Sequence, residues 1–97
     1  NHQRYLLLVR EEGLMEDYII MCPMYPTMTS GKVDKFLVRK GDKVKPGTAV
    51  AEIISEGYFT LLSEVEGIIT EFYVMEGEYV EVDTAIIEIE LAEPEEK

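Results

Sequence analysis

The residues that could serve as nucleophiles, bases or metal ligands are few and scattered. Cys22 is the single cysteine, and His2 is the single histidine and lies near the start of the sequence. A nucleophile needs a base within hydrogen-bond reach, and a metal ion needs several convergent ligands. We therefore predict no catalytic residue and no metal site, and we predict that this chain is not itself an enzyme.

Two further groups of residues have chemical potential but favour an ordinary structural role. The 20 Asp and Glu residues are spread along the chain, so paired acid–base chemistry is no better supported than simple surface charge. Met21, Met24 and Met28 are close in sequence, but flexible thioethers usually fill gaps in a core. We interpret these methionines as packing residues.

The stretch at 53–62 is the strongest candidate for a contact site. Two apolar, β-favouring runs flank Glu56-Gly57, which predicts a hairpin with a two-residue turn in which glycine supplies the positive φ. Tyr58 and Phe59 should point to opposite faces of the strand, one to the core and one to solvent. The predicted tip is Glu56 and Gly57, with Ser55 and Tyr58 as additional contact residues.

The segments on either side of this hairpin repeat each other at an offset of 36 residues. Between positions 31–54 and 67–90, nine of 24 residues are identical. Short strands separated by turns and repeated once predict an all-β flattened barrel or sandwich with internal two-fold pseudosymmetry. The predicted strands are Tyr18–Cys22, Lys32–Val38, Ala49–Ile54 and Tyr58–Leu62. The predicted turn glycines are Gly31, Gly41, Gly47, Gly67 and Gly77.

Length and charge limit the classes of function. The chain has 97 residues and a net charge of −11, which fits one small domain and argues against nucleic acid as a partner. No apolar run approaches the roughly 20 residues that cross a bilayer, so we expect no membrane insertion. The lone cysteine suits a reducing compartment, and we expect the cytoplasm, or the mitochondrial matrix if the source is eukaryotic.

The charges are unevenly distributed. Positions 32–45 hold six basic residues and two acidic ones, whereas positions 51–96 hold fourteen acidic residues and no basic one. This pattern is typical of two solvated faces. It is also compatible with a dipolar domain that is steered toward a charged partner.

The repeat sets the domain boundaries. Residues 15–91 form the predicted domain, and residues 92–97 are a polar tail or the start of a linker. Residues 1–14 form a leader, which is an extra strand or in part an expression remnant. Its apolar segment Tyr5–Val9 would either pair with the sheet or provide an edge for self-association.

Two motifs resemble the biotinyl/lipoyl carrier domain family, and most closely the lipoyl domains of 2-oxo acid dehydrogenase acyltransferases. The segment at 21–31, MCPMYPTMTSG, is similar to the family pattern M-P-x-L-S-P-T-M-x-x-G, with Tyr25 at the usual serine. The segment at 36–47, FLVRKGDKVKPG, resembles W-L-V-K-E-G-D-x-V-x-x-G, and Ala51-Glu52-Ile53 resembles A-E-I. The resemblance implies two four-stranded antiparallel sheets related by a quasi two-fold axis.

The sequence departs from the family at the position that carries the cofactor. Members of the family acylate a lysine at the tip of the central hairpin, whereas here that position falls on Glu56 or Gly57 and no lysine occurs between Lys45 and Lys97. An amide to lipoate or biotin requires a primary amine. We therefore expect no covalent cofactor.

Three functions remain open at this point. The first is a non-acylated lipoyl/biotinyl-like domain that binds, docks or assembles within a multienzyme complex, with dehydrogenase or carboxylase subunits as its protein partners. The second is a swinging-arm carrier of lipoate or biotin in a divergent or engineered form. The third, ranked lowest, is the lipoyl-like part of a membrane-fusion or transport protein.

Overall fold

A computed structural model describes residues 15–92, which fold into eight strands with no helix among them. The strands alternate with short turns, as the spacing of apolar runs and glycines predicts. Their bounds are β1 Glu16–Ile20, β2 Ser30–Phe36, β3 Lys43–Val44, β4 Ala49–Ile54, β5 Tyr58–Leu62, β6 Gly67–Phe72, β7 Tyr79–Glu81 and β8 Ala85–Leu91.

The strands form two four-stranded antiparallel sheets, which confirms the predicted fold class. One sheet has the order β1-β8-β6-β3 and the other β5-β4-β2-β7. The first half of the chain contributes strands to both sheets, because β1 and β3 pair with β8 and β6 of the second half. In return, β7 of the second half pairs with β2 of the first.

The core lies between the two sheets and is built from alternate residues of each strand. Successive side chains of a strand point to opposite faces, so in β2, β4, β6 and β8 the inward positions are aliphatic while the charged side chains lie on the outer faces. Val33, Ile53, Ile69 and Ile89 are almost completely buried. Met21 and Met28 are buried in the same cluster, which confirms that they are packing residues.

Equivalent positions of the two repeats occupy equivalent places, which confirms the internal pseudosymmetry. The Gly41 N–H donates to the Ile69 carbonyl at 2.7 Å, and the Gly77 N–H donates to the Val33 carbonyl at 2.6 Å. The register shift between Val33 and Lys35 recurs between Ile69 and Glu71. Phe36 and Phe72, also 36 positions apart, meet with their ring centroids 4.5 Å apart.

The predicted strand bounds are right for β4 and β5 and shifted for two others. β1 ends at Ile20 rather than at Cys22, because the Met21 N–H leaves the ladder and donates to the Thr84 carbonyl. β2 ends at Phe36 rather than at Val38, although the next residue, Leu37, still donates its N–H to the Val50 carbonyl of the neighbouring β4. Apolar side chains continue past both ends, so composition alone overextends these strands.

The predicted turn glycines fall into two classes. Gly41, Gly47 and Gly77 lie outside the strands at φ of 92°, 94° and 91°, a region that L residues rarely adopt. The prediction is wrong for Gly31 and Gly67, which lie within β2 and β6. A Cβ at Gly31 would come 2.7 Å from Ile53 Cγ2, and one at Gly67 would meet the Glu90 carbonyl, so these two glycines permit close approach of neighbouring strands.

Some sequence predictions fall outside the part of the chain that the structure describes. These concern residues 1–14, including the segment Tyr5–Val9, and residues 93–97. Within 15–92 there is no helix long and apolar enough to cross a membrane.

Candidate functional site at the hairpin tip

The β4–β5 hairpin ends in a loop of three residues, Ser55, Glu56 and Gly57. The predicted two-residue turn is wrong, because the last cross-strand pair is Ile54 with Tyr58. The Ser55 N–H donates to the Gly57 carbonyl at 2.9 Å. Glu56 has φ of 59° and Gly57 of 153°, so the loop needs positive φ at both residues rather than at glycine alone.

Ser55 fixes the loop to the neighbouring chain through its hydroxyl group. Its Oγ donates to the Ser30 carbonyl at 2.9 Å and lies 2.8 Å from the Tyr25 hydroxyl. Since the single serine proton is used on Ser30, the tyrosine must donate to Ser55. The side chain that sequence reasoning named as a contact residue is therefore a partly buried anchor of the tip.

Tyr25 was missed as a site residue by sequence reasoning. Its ring lies 6.1 Å from the ring of Phe59 on β5, and its carbonyl accepts from the Met28 N–H at 3.1 Å. The loop between β1 and β2 thus supports the tip from one side. The available signal was the tyrosine itself, which replaces serine in an otherwise similar motif.

The tip presents a carboxylate and no amine. Glu56 and Gly57 are exposed, and no lysine lies between residues 46 and 92. The lysine closest to the tip in the strand ladder is Lys32, which pairs with Ile54 across β2 and β4. Its side chain belongs to the outer face of the sheet, where its Nζ lies 5.9 Å from the ring centre of Tyr79.

Exposed aromatic side chains line that outer face next to the tip. Register places Tyr58, Ile54, Lys32 and Tyr79 in one row across β5, β4, β2 and β7. Tyr58 is 77% exposed and Tyr79 is 72% exposed, whereas Phe59 packs against the core. The predicted division between Tyr58 and Phe59 is confirmed, while Tyr79 was not foreseen because it is distant in sequence.

The arrangement around Cys22 does not favour nucleophilic chemistry. Partial burial, together with the nearby carboxylates Glu64 and Asp83, raises the pKa of the Cys22 thiol. A raised pKa keeps the thiol protonated near neutral pH and lowers its reactivity. Within residues 15–92, no group of three or more His, Cys, Asp or Glu side chains could hold a metal ion.

The outer faces of the two sheets differ in charge. On the β1-β8-β6-β3 sheet, Glu88 lies between Tyr18 and Glu71 in the cross-strand register. The Tyr73 hydroxyl donates to Glu88 Oε1 at 2.6 Å, and this bond is the main reason that the pKa of Tyr73 is raised. On the other sheet the equivalent row holds Lys35 beside Glu52, so the repeated backbone carries an acidic face and a mixed face.

Comparisons with known proteins agree with this architecture. The model of the family described as biotin-requiring enzymes, with biotin/lipoyl domains, matches residues 19–89. The structure is similar to the lipoyl domain of the 2-oxoglutarate dehydrogenase complex from Azotobacter vinelandii, with a TM-score of 0.60 and 23% identity over 75% of this chain and 95% of that chain. The comparison with curated proteins gave no match. Because the family model spans most of the sequence and the fold agrees with it, the chain belongs to the biotinyl/lipoyl domain family.

Proposed function

We propose that this domain is a non-acylated member of its family that acts by binding other proteins, as a docking or assembly module of a multienzyme complex. The observation that carries the proposal is the composition of the hairpin tip. Ser55, Glu56 and Gly57 form the whole loop between the paired strands. None of them has the amine that an amide to lipoate or biotin requires.

The order of the loop supports a binding role. Ser55 is held by Tyr25 and Ser30, and Glu56 keeps a left-handed backbone conformation without being glycine. Such a conformation persists only when its surroundings enforce it. A tip that carries no cofactor but keeps an ordered loop conformation fits a surface that presents Glu56 to a partner.

The partners that this proposal implies are proteins. The similar domain from Azotobacter vinelandii belongs to a 2-oxoglutarate dehydrogenase complex, and the family model is that of biotin-requiring enzymes. Dehydrogenase and carboxylase subunits are therefore the first candidates. The exposed tyrosines beside the tip belong to one of the residue types that are enriched at the energetically important positions of protein interfaces.

Intact mass spectrometry tests the absence of acylation. The wild-type chain and the variant Glu56→Lys are each co-expressed with a lipoate ligase or a biotin ligase, and a separate lipoyl or biotinyl domain in the same cells verifies ligase activity. We expect an unchanged mass for the wild type. A wild-type chain that gains one lipoyl or biotinyl group would instead be a carrier, with its amine elsewhere on the surface.

The variant is chosen because Glu56 already carries a side chain at positive φ, so lysine needs no change of backbone. Gly57 is less suitable because its φ of 153° strains any L residue. Binding itself is tested by a pull-down with dehydrogenase and carboxylase subunits from the source cell. Failure to retain any of these subunits at micromolar concentration would contradict a docking role.

A further inference from the structure

We propose that the free edge of β5 binds an extended partner segment as an additional strand, and that this segment has an uncharged centre with a basic residue at each end. The inference deepens the proposed binding function, because it names the surface and the chemistry of the partner. It stands on the backbone and groove of β5 and on the charges that flank this strand, one of which is Glu56 of the hairpin tip.

Within residues 15–92, the main chain of β5 is unpaired on one side. Among the described strands, β5 pairs only with β4 and ends the order β5-β4-β2-β7. The Ser55–Gly57 bond at 2.9 Å begins the ladder, and hydrogen-bonded and non-bonded pairs alternate in antiparallel strands. The next bonded pair is therefore Ile53 with Phe59, and the polar main-chain groups of Tyr58 and Thr60 point away from the sheet.

The edge lacks the features that usually prevent strand addition. Natural sheets protect edge strands with charged residues, prolines or bulges, but β5 consists of Tyr-Phe-Thr-Leu-Leu. Its pseudosymmetric counterpart β1, at the same place in the other sheet, begins with Glu16 and Asp17. The two edge strands occupy equivalent places in their sheets, and of the two only β5 contains no charged residue.

A groove alongside β5 can accept side chains of an added strand. It has a volume of about 460 Å³ and is lined by residues that include Cys22, Met24, Thr60, Leu61 and Leu62. Leu62 is 50% exposed and Tyr58 is 77% exposed, so both can contact an incoming strand on the outer face. In strand addition, main-chain bonds supply affinity and pockets for alternate side chains supply specificity.

Charge complementarity defines the ends of the partner segment. Glu56 precedes β5 and Glu64 follows it, and both side chains are exposed. Neither carboxylate belongs to the ion pair found within residues 15–92, which joins Lys40 to Glu71 at 3.3 Å on the other sheet. A strand with a lysine or arginine near each end would face these two carboxylates. A second copy of β5 would instead bring Glu56 opposite Glu64 of the other copy and be repelled.

The test uses ¹⁵N-labelled wild-type protein and two synthetic peptides. The first is acetyl-Arg-Ser-Val-Thr-Val-Thr-Val-Ser-Arg-amide, and the second replaces both arginines with glutamate. We expect the arginine peptide to shift the amide signals of Tyr58 and Thr60 and to slow their hydrogen exchange. The glutamate peptide should bind at least about tenfold more weakly, since it reverses two charge contacts.

Matched variants separate the main-chain and charge contributions. Thr60→Pro removes the outward N–H and should weaken binding about tenfold, while Thr60→Val keeps that N–H and should bind as the wild type does. The double variant Glu56→Gln/Glu64→Gln should weaken binding, whereas Glu66→Gln/Glu90→Gln changes the same charge elsewhere and should not. Dispersed amide spectra verify that each variant is folded. If Thr60→Pro is unfolded, the main-chain contribution is judged instead from hydrogen exchange at the Thr60 amide of the wild type with and without the arginine peptide.

Several results would overturn the proposal. Equal binding of the two peptides would remove the charge rule, and shifts confined to other strands would remove the site. Slow exchange of the Tyr58 and Thr60 amides without peptide would mean that the edge is already covered. Sedimentation would then identify what covers it: a dimer would indicate a second copy, and a monomer would indicate another part of this chain. Acylation of the wild type would contradict the proposed function and leave the result for β5 unaffected.

Discussion

The Tyr25 hydroxyl lies 2.8 Å from the Ser55 Oγ, and this contact joins two segments that are 30 residues apart in the sequence. Tyr25 stands where the similar family motif has serine, and Ser55 opens the three-residue loop at the hairpin tip. The departure from the family motif at Tyr25 is thus in direct contact with the tip loop. They form one structural unit, in which the tyrosine supports the loop at the hairpin tip.

Removing either partner of this contact should loosen the tip. Tyr25→Phe deletes the donor to Ser55 and should cost about 1 kcal/mol of unfolding free energy. Ser55→Ala should cost about 1–2 kcal/mol, because it also leaves the Ser30 carbonyl without its donor. Chemical denaturation measures both values, and Glu56→Gln, which alters only an exposed side chain, serves as the control and should change stability by less than about 0.5 kcal/mol. Equal unfolding free energies for all three variants would show that the contact does not stabilise the fold.

The two strand glycines should respond differently to alanine although they are equivalent in the repeat. A Cβ at Gly67 would meet the Glu90 carbonyl and come 2.6 Å from Ile89 Cγ2, whereas at Gly31 it would meet only side-chain atoms of Ile53, Met28 and Met21. Backbone cannot move aside as side chains can, so Gly67→Ala should destabilise by about 3 kcal/mol and Gly31→Ala by about half of that. Thermal and urea unfolding test this order, and a reversed order would contradict it.

Asp83 is a position where the sequence should accept glycine with a gain in stability. It has φ of 76°, and its counterpart in the first repeat, Gly47, has φ of 94°. Left-handed conformations cost L residues roughly 1–2 kcal/mol, less for aspartate than for most. We expect Asp83→Gly to stabilise by about 0.5 kcal/mol after the larger entropy of its unfolded chain is included. The reciprocal variant Gly47→Asp should destabilise, and urea midpoints measure both.

The Tyr73–Glu88 bond should make stability depend on alkaline pH. The bond raises the pKa of Tyr73 above its ordinary value, so the folded state holds the phenol proton more tightly than the unfolded state. The resulting stabilisation is fully present below the unfolded pKa of about 10 and is lost as the pH rises through the folded pKa. Urea unfolding between about pH 8 and 11 should show constant stability at first and the onset of this loss above about pH 10. Tyr73→Phe should reduce the slope, and an unchanged slope would contradict this assignment.

The sequence predicted the repeat well and the site only in part, for physical reasons. Inward positions such as Val33 and Ile69 alternate with polar ones, and this periodicity determines the fold class without knowledge of contacts. The tip loop was predicted one residue too short, because Glu56 accepts a positive φ that composition assigns to glycine. Gly31 and Gly67 were assigned to turns because only three-dimensional packing shows which atoms a Cβ would meet.

Contacts between distant segments were beyond reach of local patterns. Tyr25 gains its role from Ser55 and Phe59, and Tyr79 joins the exposed row through the pairing of β7 with β2. Without an alignment of related sequences, nothing in the residues themselves reports such pairings. The acidic composition was visible, but the unequal division of charge between two sheet faces follows only from register.

The exchange of strands between the two repeats bears on whether the fold needs an unbroken chain at the β4–β5 hairpin. Each sheet contains strands from both repeats. Phe36 of the first repeat packs against Phe72 of the second. Neither repeat contains a core that could exclude water alone. Proteolytic cleavage between Glu56 and Gly57 should therefore leave two fragments that co-elute as one folded particle and separate only in denaturant, so the hairpin link is replaceable by non-covalent assembly.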